Sequence, residues 1–336
     1  MNFDFTDDQQ AIKATAREFL ANRFKLEHVR ELAEAGEYDD GLWREMSELG
    51  WPGIFVDERH GGQGLGVVEL VILMEEMGYA LAPSPFLSNV AAGLVIQHAG
   101  SEEQRERWLP GIASGEERGT VGVVTGGSAP LVADADSASV VVLLDEAGGA
   151  TVQEGGAADL ARTIDSTRRF ASVTPDGGEA LADEPGPGID RIATALAAEL
   201  VGVGQRAMEM AIEYARERKQ FDRPIGAYQA ISHRCAQMLL EVEGARSATY
   251  YAGWAADNEP ETLPLAASMA KAYASDAGWR VTASALQVHG GIGFTWEHDL
   301  HFFLKRAKVD GHLFGDARHH RDRVAELAGL GQLVPA

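Results

Sequence analysis

One cysteine in 336 residues, Cys235, leaves no thiol for it to pair with, so an internal disulfide is excluded and a reducing compartment is implied. The residue sits in an apolar helical pattern, where a small buried side chain is expected. Positive charge is also scarce. Against 51 acidic side chains stand 29 basic ones, for a formal net charge of -22. Such a chain repels nucleic acid and anionic membrane surfaces. Apolar runs long enough to cross a bilayer are missing, and the opening Met-Asn-Phe-Asp-Phe-Thr carries no basic start of a signal peptide. These absences predict a cytoplasmic protein without membrane insertion. No internal repeat or low-complexity tract occurs. No Cys or carboxylate stands at metal-ligand spacing either, so the group Arg318, His319, His320, Arg321 and Arg323 reads as the solvated face of a C-terminal helix and no metal site is expected.

What is present is an ordinary globular composition, 45% apolar and 24% charged, with length for two or three domains. Thr6 and Gln9 form a capping box, and Ile12, Ala16, Phe19 and Leu20 mark one face of a helix ending near Asn22. A second helix is predicted from Asp39 to Leu49, stopped by Gly50-Trp51-Pro52-Gly53. Gly61-Gly62-Gln63-Gly64-Leu65-Gly66 lacks the preceding strand and the Lys-Ser/Thr ending of a phosphate loop, so it is read as structural. Ser101 and Gln104 cap a further helix through Trp108-Leu109-Pro110.

Between Arg118 and Gly186 short alternations (Thr120 to Thr125, Ser139 to Leu144, Phe170 to Val173) predict a small sheet. Asp176 to Gly188, rich in Gly, Pro and acid, reads as a linker. From Asp190 onward Leu196, Leu200, Val203, Ala207, Met210, Ala211 and Tyr214 recur at three or four, one buried stripe of a long helix. Ser232 to about Ala255, Pro264 to Leu286 and Leu300 to Lys308 repeat the pattern and predict a four-helix bundle. The fold expected is mainly α with a small β domain, in three parts: a helical domain over 1–117, a reduced middle β domain over 118–186 and the bundle over 187–336.

Two stretches stand out. Tyr214-Ala-Arg-Glu-Arg-Lys-Gln-Phe-Asp-Arg-Pro-Ile-Gly226 gathers Arg216, Arg218, Lys219 and Arg223 at a helix end. Cations there either complement the helix dipole or hold a phosphate, whose oxygens match the guanidinium fork. About seventy residues later, Gln287-Val288-His289-Gly290-Gly291-Ile292-Gly293-Phe294 supplies glycines that let a backbone approach a ligand or take positive φ. Together the two stretches resemble the C-terminal half of the acyl-CoA dehydrogenase family, and the resemblance extends over nearly the whole chain.

The resemblance implies that Arg218, Phe221, Gln287 and Gly291, with Gln220 at the variable position and Gly290 beside Gly291, reach the pyrophosphate and adenosine side of a neighbouring subunit's FAD. It also implies where a proton-abstracting Glu belongs: eight residues beyond the start of an Arg-Ala-Lys segment, or near the start of the long helix before the Arg turn. Those places hold Phe314 and Ile192, neither of which accepts a proton, and Ala193 replaces the Arg expected beside the second. Asp316 and Glu297 are the substitutes within reach. Glu297 is expected to hold loop backbone with Trp296 packed beside it, and His298 and His301 to be solvated or capping. The family's Thr-Glu-Pro and Gly-Ser-Asp, which face the flavin ring, correspond to Val124-Thr125-Gly126-Gly127-Ser128-Ala129-Pro130, where the Glu-Pro pair is absent.

By this resemblance the chain looks like the short, base-less subunit of actinobacterial heterotetrameric enzymes that desaturate CoA esters of steroid side chains. The expectations are an α2β2 complex with a catalytic subunit whose FAD this chain completes, an acyl-CoA substrate and an electron-transfer acceptor. The alternatives are a self-sufficient homo-oligomer with a displaced base and a flavin-free helical assembly protein.

Overall fold

A computed structural model describes residues 5–156 and 158–330. Met1–Asp4, part of the stretch read for a signal peptide, and the last six residues lie outside them. The helices of the first third are α1 (Asp7–Arg23), α2 (Leu26–Ala35), α3 (Asp40–Glu48), α4 (Val67–Ala80), α5 (Phe86–Ala99) and α6 (Glu102–Ser114). Strands β1 (Gly119–Val123), β2 (Ala129–Ala133), β3 (Val140–Leu144), β4 (Ala150–Glu154), β5 (Asp159–Ala161), β6 (Phe170–Val173) and β7 (Glu179–Ala180) follow. The long helix α7 (Gly186–Glu217), a hairpin of β8 (Lys219–Gln220) and β9 (Arg223–Pro224), then α8 (Gln229–Asn258), α9 (Leu263–His289), α10 (Leu300–Asp310) and α11 (Ala317–Leu327) complete the order. The mainly helical fold with a small middle β region is the one the sequence predicts.

By compactness the chain forms two units, one of Met1–Arg30, Val71–Ala82 and Ala193–Ala336, the other of Glu31–Leu70 and Pro83–Ile192. In the first, α9 packs against α8, α10 and α11. Helix α7 joins them: Gly204 faces Val242 and Val281, and Gly278 faces Leu200. From Asp190 to Gly204 every residue of α7 is buried, so this half is a central helix and not a one-sided stripe. Further on Met208 is buried, whereas Met210 and Tyr214 of the expected stripe are only half-buried. Helix α4 crosses α7 at backbone contact. A methyl added at Gly78 would stand 2.1 Å from the Glu199 carbonyl oxygen, and one at Gly202 would stand 1.9 Å from that of Glu75.

Around this crossing two neighbouring buried carboxylates are neutralised by cations from other helices. Glu75 accepts from Lys13 Nζ at 3.1 Å and from the Tyr250 hydroxyl at 2.6 Å, and Arg246 lies 3.4 Å away. Glu76 pairs with Arg17. Arg306 of α10 donates to Glu199 of α7 at 2.7 Å, both fully buried. Buried charges persist only when paired in this way.

In the second unit one sheet runs β1-β3-β4-β7, with β1 parallel to β3 and the other pairs antiparallel, and a second runs β2-β6-β5, antiparallel throughout. Small apolar residues fill the core, among them Ala129, Val132, Val141, Leu143 and Ala171. Asn89 of α5 anchors β1, its Oδ1 accepting from Gly119 N–H at 2.9 Å while its Nδ2 donates to the Ile112 carbonyl at 3.1 Å. After β2, Asp134 takes φ 58° and is buried with Tyr38 and Ser88 donating to its carboxylate.

Both capping boxes form as expected, on α1 and α6. Helix α6 nevertheless continues through Pro110 to Ser114, because only one internal N–H is lost and Trp108, Leu109, Ile112 and Ala113 remain buried. The acidic stretch from Asp176 is not all linker, since β7 within it pairs with β4. Val124 to Pro130 forms a two-residue hairpin in which Gly126 and Gly127 have φ 60° and 90° and Thr125 bridges Ser128.

Candidate functional site

The cationic stretch begins where α7 ends. Arg218 N–H donates to the Tyr214 carbonyl at 2.8 Å, and the Arg218 carbonyl accepts from Ile225 N–H at 2.8 Å. With its backbone thus spent, Arg218 projects an exposed guanidinium that makes no ion pair among the described residues. The β8–β9 hairpin turns through Phe221 and Asp222, at φ 52° and 64°. Left-handed backbone costs an aromatic residue energy that burial would ordinarily offset. Phe221 instead stands 87% exposed. Behind it Tyr228 donates to the Gln220 carbonyl at 3.0 Å, and the Arg223 guanidinium lies 4.0 Å from the Tyr228 ring.

The second stretch closes α9. Gly290 takes φ 62°, ψ -136° and returns its N–H to the Gln287 and Leu286 carbonyls, a conformation open only to glycine. A methyl at Gly290 or Gly291 would meet nothing within 4 Å, so these glycines leave open space. Gly293, by contrast, is a packing residue, with the Leu286 carbonyl oxygen 2.8 Å from an added methyl. Gln287 is exposed, and Phe294 and Trp296 are each 71% exposed.

The fold brings the two stretches to the same end of the helices. Tyr214, one turn before Arg218, stacks on His289, two residues after Gln287, with centroids 4.5 Å apart and planes 22° from parallel. A free guanidinium, a free carboxamide and an uncovered glycine backbone are the donors that a diphosphate and its sugar need, so these residues fit one end of a dinucleotide such as FAD. The sequence pattern marked Arg218, Gln220, Phe221, Gln287, Gly290 and Gly291 but took Tyr214 for a core position. Its place one helical turn ahead of the cations was the available signal.

No proton acceptor occupies the two positions where the resemblance places a base. Ile192 is wholly buried in α7, and Phe314 is half-buried at φ 54°. The carbonyls of this turn are held from behind, Phe314 by His320 Nε2 at 3.0 Å and Gly315 by Lys271 Nζ at 3.1 Å. Burial lowers Lys271 to about 8 against the opposing pull of Asp310 and Asp316, and burial with the nearby Lys271 charge lowers His320 to about 4. The basic group on α11 is therefore not simply a solvated face. His320 is inside, while Arg321 and Arg323 reach Asp276 and Ser268.

Asp316 is the N-cap of α11, accepting from His319 N–H at 2.8 Å, and that bond lowers its carboxyl below the ordinary carboxylate range. Glu297 is exposed and holds no backbone group among the described residues; Trp296 packs against His301 and Lys305. His298 does cap, its Nδ1 accepting from Leu300 N–H at 3.2 Å. Cys235 is half-exposed, not buried, in an apolar groove with Ile212, Ala215, Pro224, Ala236 and Leu239. No group of metal-ligating side chains occurs among the described residues.

Residues 6–116 match the acyl-CoA dehydrogenase N-terminal domain and residues 188–328 the C-terminal domain. The chain is 31% identical to acyl-CoA dehydrogenase IpdE2 of Mycolicibacterium smegmatis, across 95% of this chain and 98% of that one. It is 32% identical to IpdE2 of Mycobacterium tuberculosis, over 93% and 94%. Among solved structures, a Tcur3481-Tcur3483 steroid ACAD variant superposes with a TM-score of 0.88 at 26% identity, covering 98% and 99% of the two chains. The ChsE4-ChsE5 complex of Mycobacterium tuberculosis does so with 0.87 at 25%, covering all of both. The chain belongs to the acyl-CoA dehydrogenase family of oxidoreductases.

Proposed function

We propose that this chain is the non-catalytic subunit of a heteromeric, FAD-dependent acyl-CoA dehydrogenase, and that its Arg218–Gln287 end completes the FAD site of a catalytic partner in an α2β2 assembly. The observation that carries the reading is the contrast within one chain. The residues suited to a neighbour's dinucleotide are exposed and unencumbered, whereas the base positions hold Phe314 and Ile192.

Bound in the complex, FAD supplies the hydride acceptor for α,β-desaturation of an acyl thioester. Arg218 would pair the diphosphate, Gln287 would hydrogen-bond the adenosine side, and Gly290 and Gly291 would leave room for it beside bare backbone. The α-proton is removed by a carboxylate of the partner, because Asp316 is occupied in capping α11 and Glu297 stands in solvent. Relatives whose names join two components, or carry the word steroid, support a two-chain enzyme and a bulky CoA ester as substrate. An electron-transfer protein would reoxidise the flavin, and among the described residues no helix is long and apolar enough to cross a membrane.

Co-expression with an adjacent homologous chain that retains the Glu tests this. The expected product is a complex with one flavin per pair of chains, and this chain purified alone is colourless and inactive. Arg218→Ala leaves the complex assembled but weakens its hold on FAD by about ten- to a hundredfold, the range for losing hydrogen bonds to a charged group. A yellow, acyl-CoA-oxidising preparation of the isolated chain would overturn the proposal.

A further inference from the structure

We infer that Tyr214 and His289 are positioning residues of the half-site, forming with His298 a ladder of rings that locks the Arg218 hairpin to the Gly290–Phe294 turn. The inference rests on the half-site reading for its functional consequence, although the coupling itself is a property of this chain alone. The two turns are separated by some seventy residues of sequence, and each projects its proposed ligand-facing groups into solvent. The ladder lies just behind both.

Its first rung is tied to the cationic turn, because the Tyr214 carbonyl accepts from Arg218 N–H at 2.8 Å. The Tyr214 ring stacks on His289 at 4.5 Å, and His289 meets the edge of His298 at 4.4 Å. Each imidazole is fixed in its plane by a local hydrogen bond. His289 Nδ1 lies 2.8 Å from the Ala285 carbonyl, which accepts and so sets the proton on that nitrogen. His298 Nδ1 accepts from Leu300 N–H at the start of α10. The Gly290 turn is thus bracketed by two ladder residues, at 289 and 298, and the third belongs to α7, whose end Arg218 directly follows. A diphosphate gripped by Arg218 and approached by Gly291 requires both to hold still together, since a misplacement of about 1 Å loses most of a charge-assisted hydrogen bond.

Hydrogen exchange on the isolated chain tests the coupling. Tyr214→Leu removes the ring but keeps an apolar helix former, and exchange across residues 287–294 is expected to quicken about two- to tenfold, the effect of losing one aromatic pair on a local opening equilibrium. Tyr214→Phe keeps the ring and restores protection to within about twofold, as does His289→Phe when compared with His289→Leu. Unchanged exchange at 287–294 in Tyr214→Leu, with melting lowered, would make Tyr214 ordinary core and overturn the inference. In the co-expressed complex the same leucine variants lose FAD while their phenylalanine counterparts retain it. Should the exchange results hold and the complex fail to form, the ladder stands and the heteromeric reading falls.

Discussion

At the scale of single residues, Asp316 bears on the choice between the proposed base-less subunit and a self-sufficient enzyme. A carboxylate two positions from where the resemblance places a base invites a catalytic role, yet its oxygen accepts from His319 N–H, one of the orphan donors at the start of α11. Replacing a cap by alanine costs about 0.5–2 kcal/mol, whereas asparagine caps about as well. Asp316→Ala is accordingly expected to lower the denaturation midpoint, and Asp316→Asn to leave it nearly unchanged, in a urea titration. Because the folded carboxyl lies below its unfolded value, this contribution is present above the unfolded pKa and fades as the pH falls through the folded one. Asp316→Asn abolishing dehydrogenation in a complex would restore the displaced-base alternative.

Phe221 and Cys235 show the limit of reading residues singly. The sequence pattern singled out Phe221 without indicating its backbone; the structure sets it at positive φ on an exposed hairpin. Cys235 fits the apolar pattern of α8, and only the position of the hairpin and α7 leaves an open groove over it.

Between elements, the α4–α7 crossing carries the most testable packing. Gly78 and Gly202 let the two backbones touch, and the buried carboxylates beside them are matched by Lys13, Arg17 and Arg246. An added methyl would meet backbone and not a movable side chain, so Gly78→Ala and Gly202→Ala should each destabilise by about 1–3 kcal/mol or somewhat more, as overpacking does. Gly291→Ala, whose methyl meets nothing, should leave stability almost unaltered. Calorimetric melting of the three variants distinguishes packing glycines from the ligand-facing one. Similar losses in all three would refute the distinction.

For the molecule as a whole, acid sensitivity follows from where its histidines lie. Burial lowers His98 to about 3 and His301 to about 4, with Arg191 and Arg105 adding to the first and Lys305 and Arg30 to the second. His320 is lowered to about 4, and burial also lowers His289 and His298. For such bases the unfolded chain binds protons first. Stability is therefore complete above the unfolded value near 6.5 and declines as the pH falls from there towards the folded values. Asp134 opposes this, since burial raises its carboxyl. Melting temperature is expected to drop as the pH falls below about 6.5, less steeply in His301→Phe. A profile flat to pH 5 would contradict the assignment.

The linear pattern of this chain determined its helices, its short strands and the two stretches proposed to form the half-site, because capping boxes, 3.6-residue spacing and glycine chemistry act over a few neighbouring residues. It also determined that Phe314 and Ile192 cannot take a proton, since that is a property of the side chains themselves. Only the tertiary structure decided that α7 is buried on all sides from Asp190 to Gly204, that α6 runs on past Pro110 to Ser114 and that His320 points inward, for burial depends on what packs from elsewhere. The meeting of Tyr214 with His289 is of the same kind: a contact across seventy residues is set by how helices cross, and no local spacing encodes it.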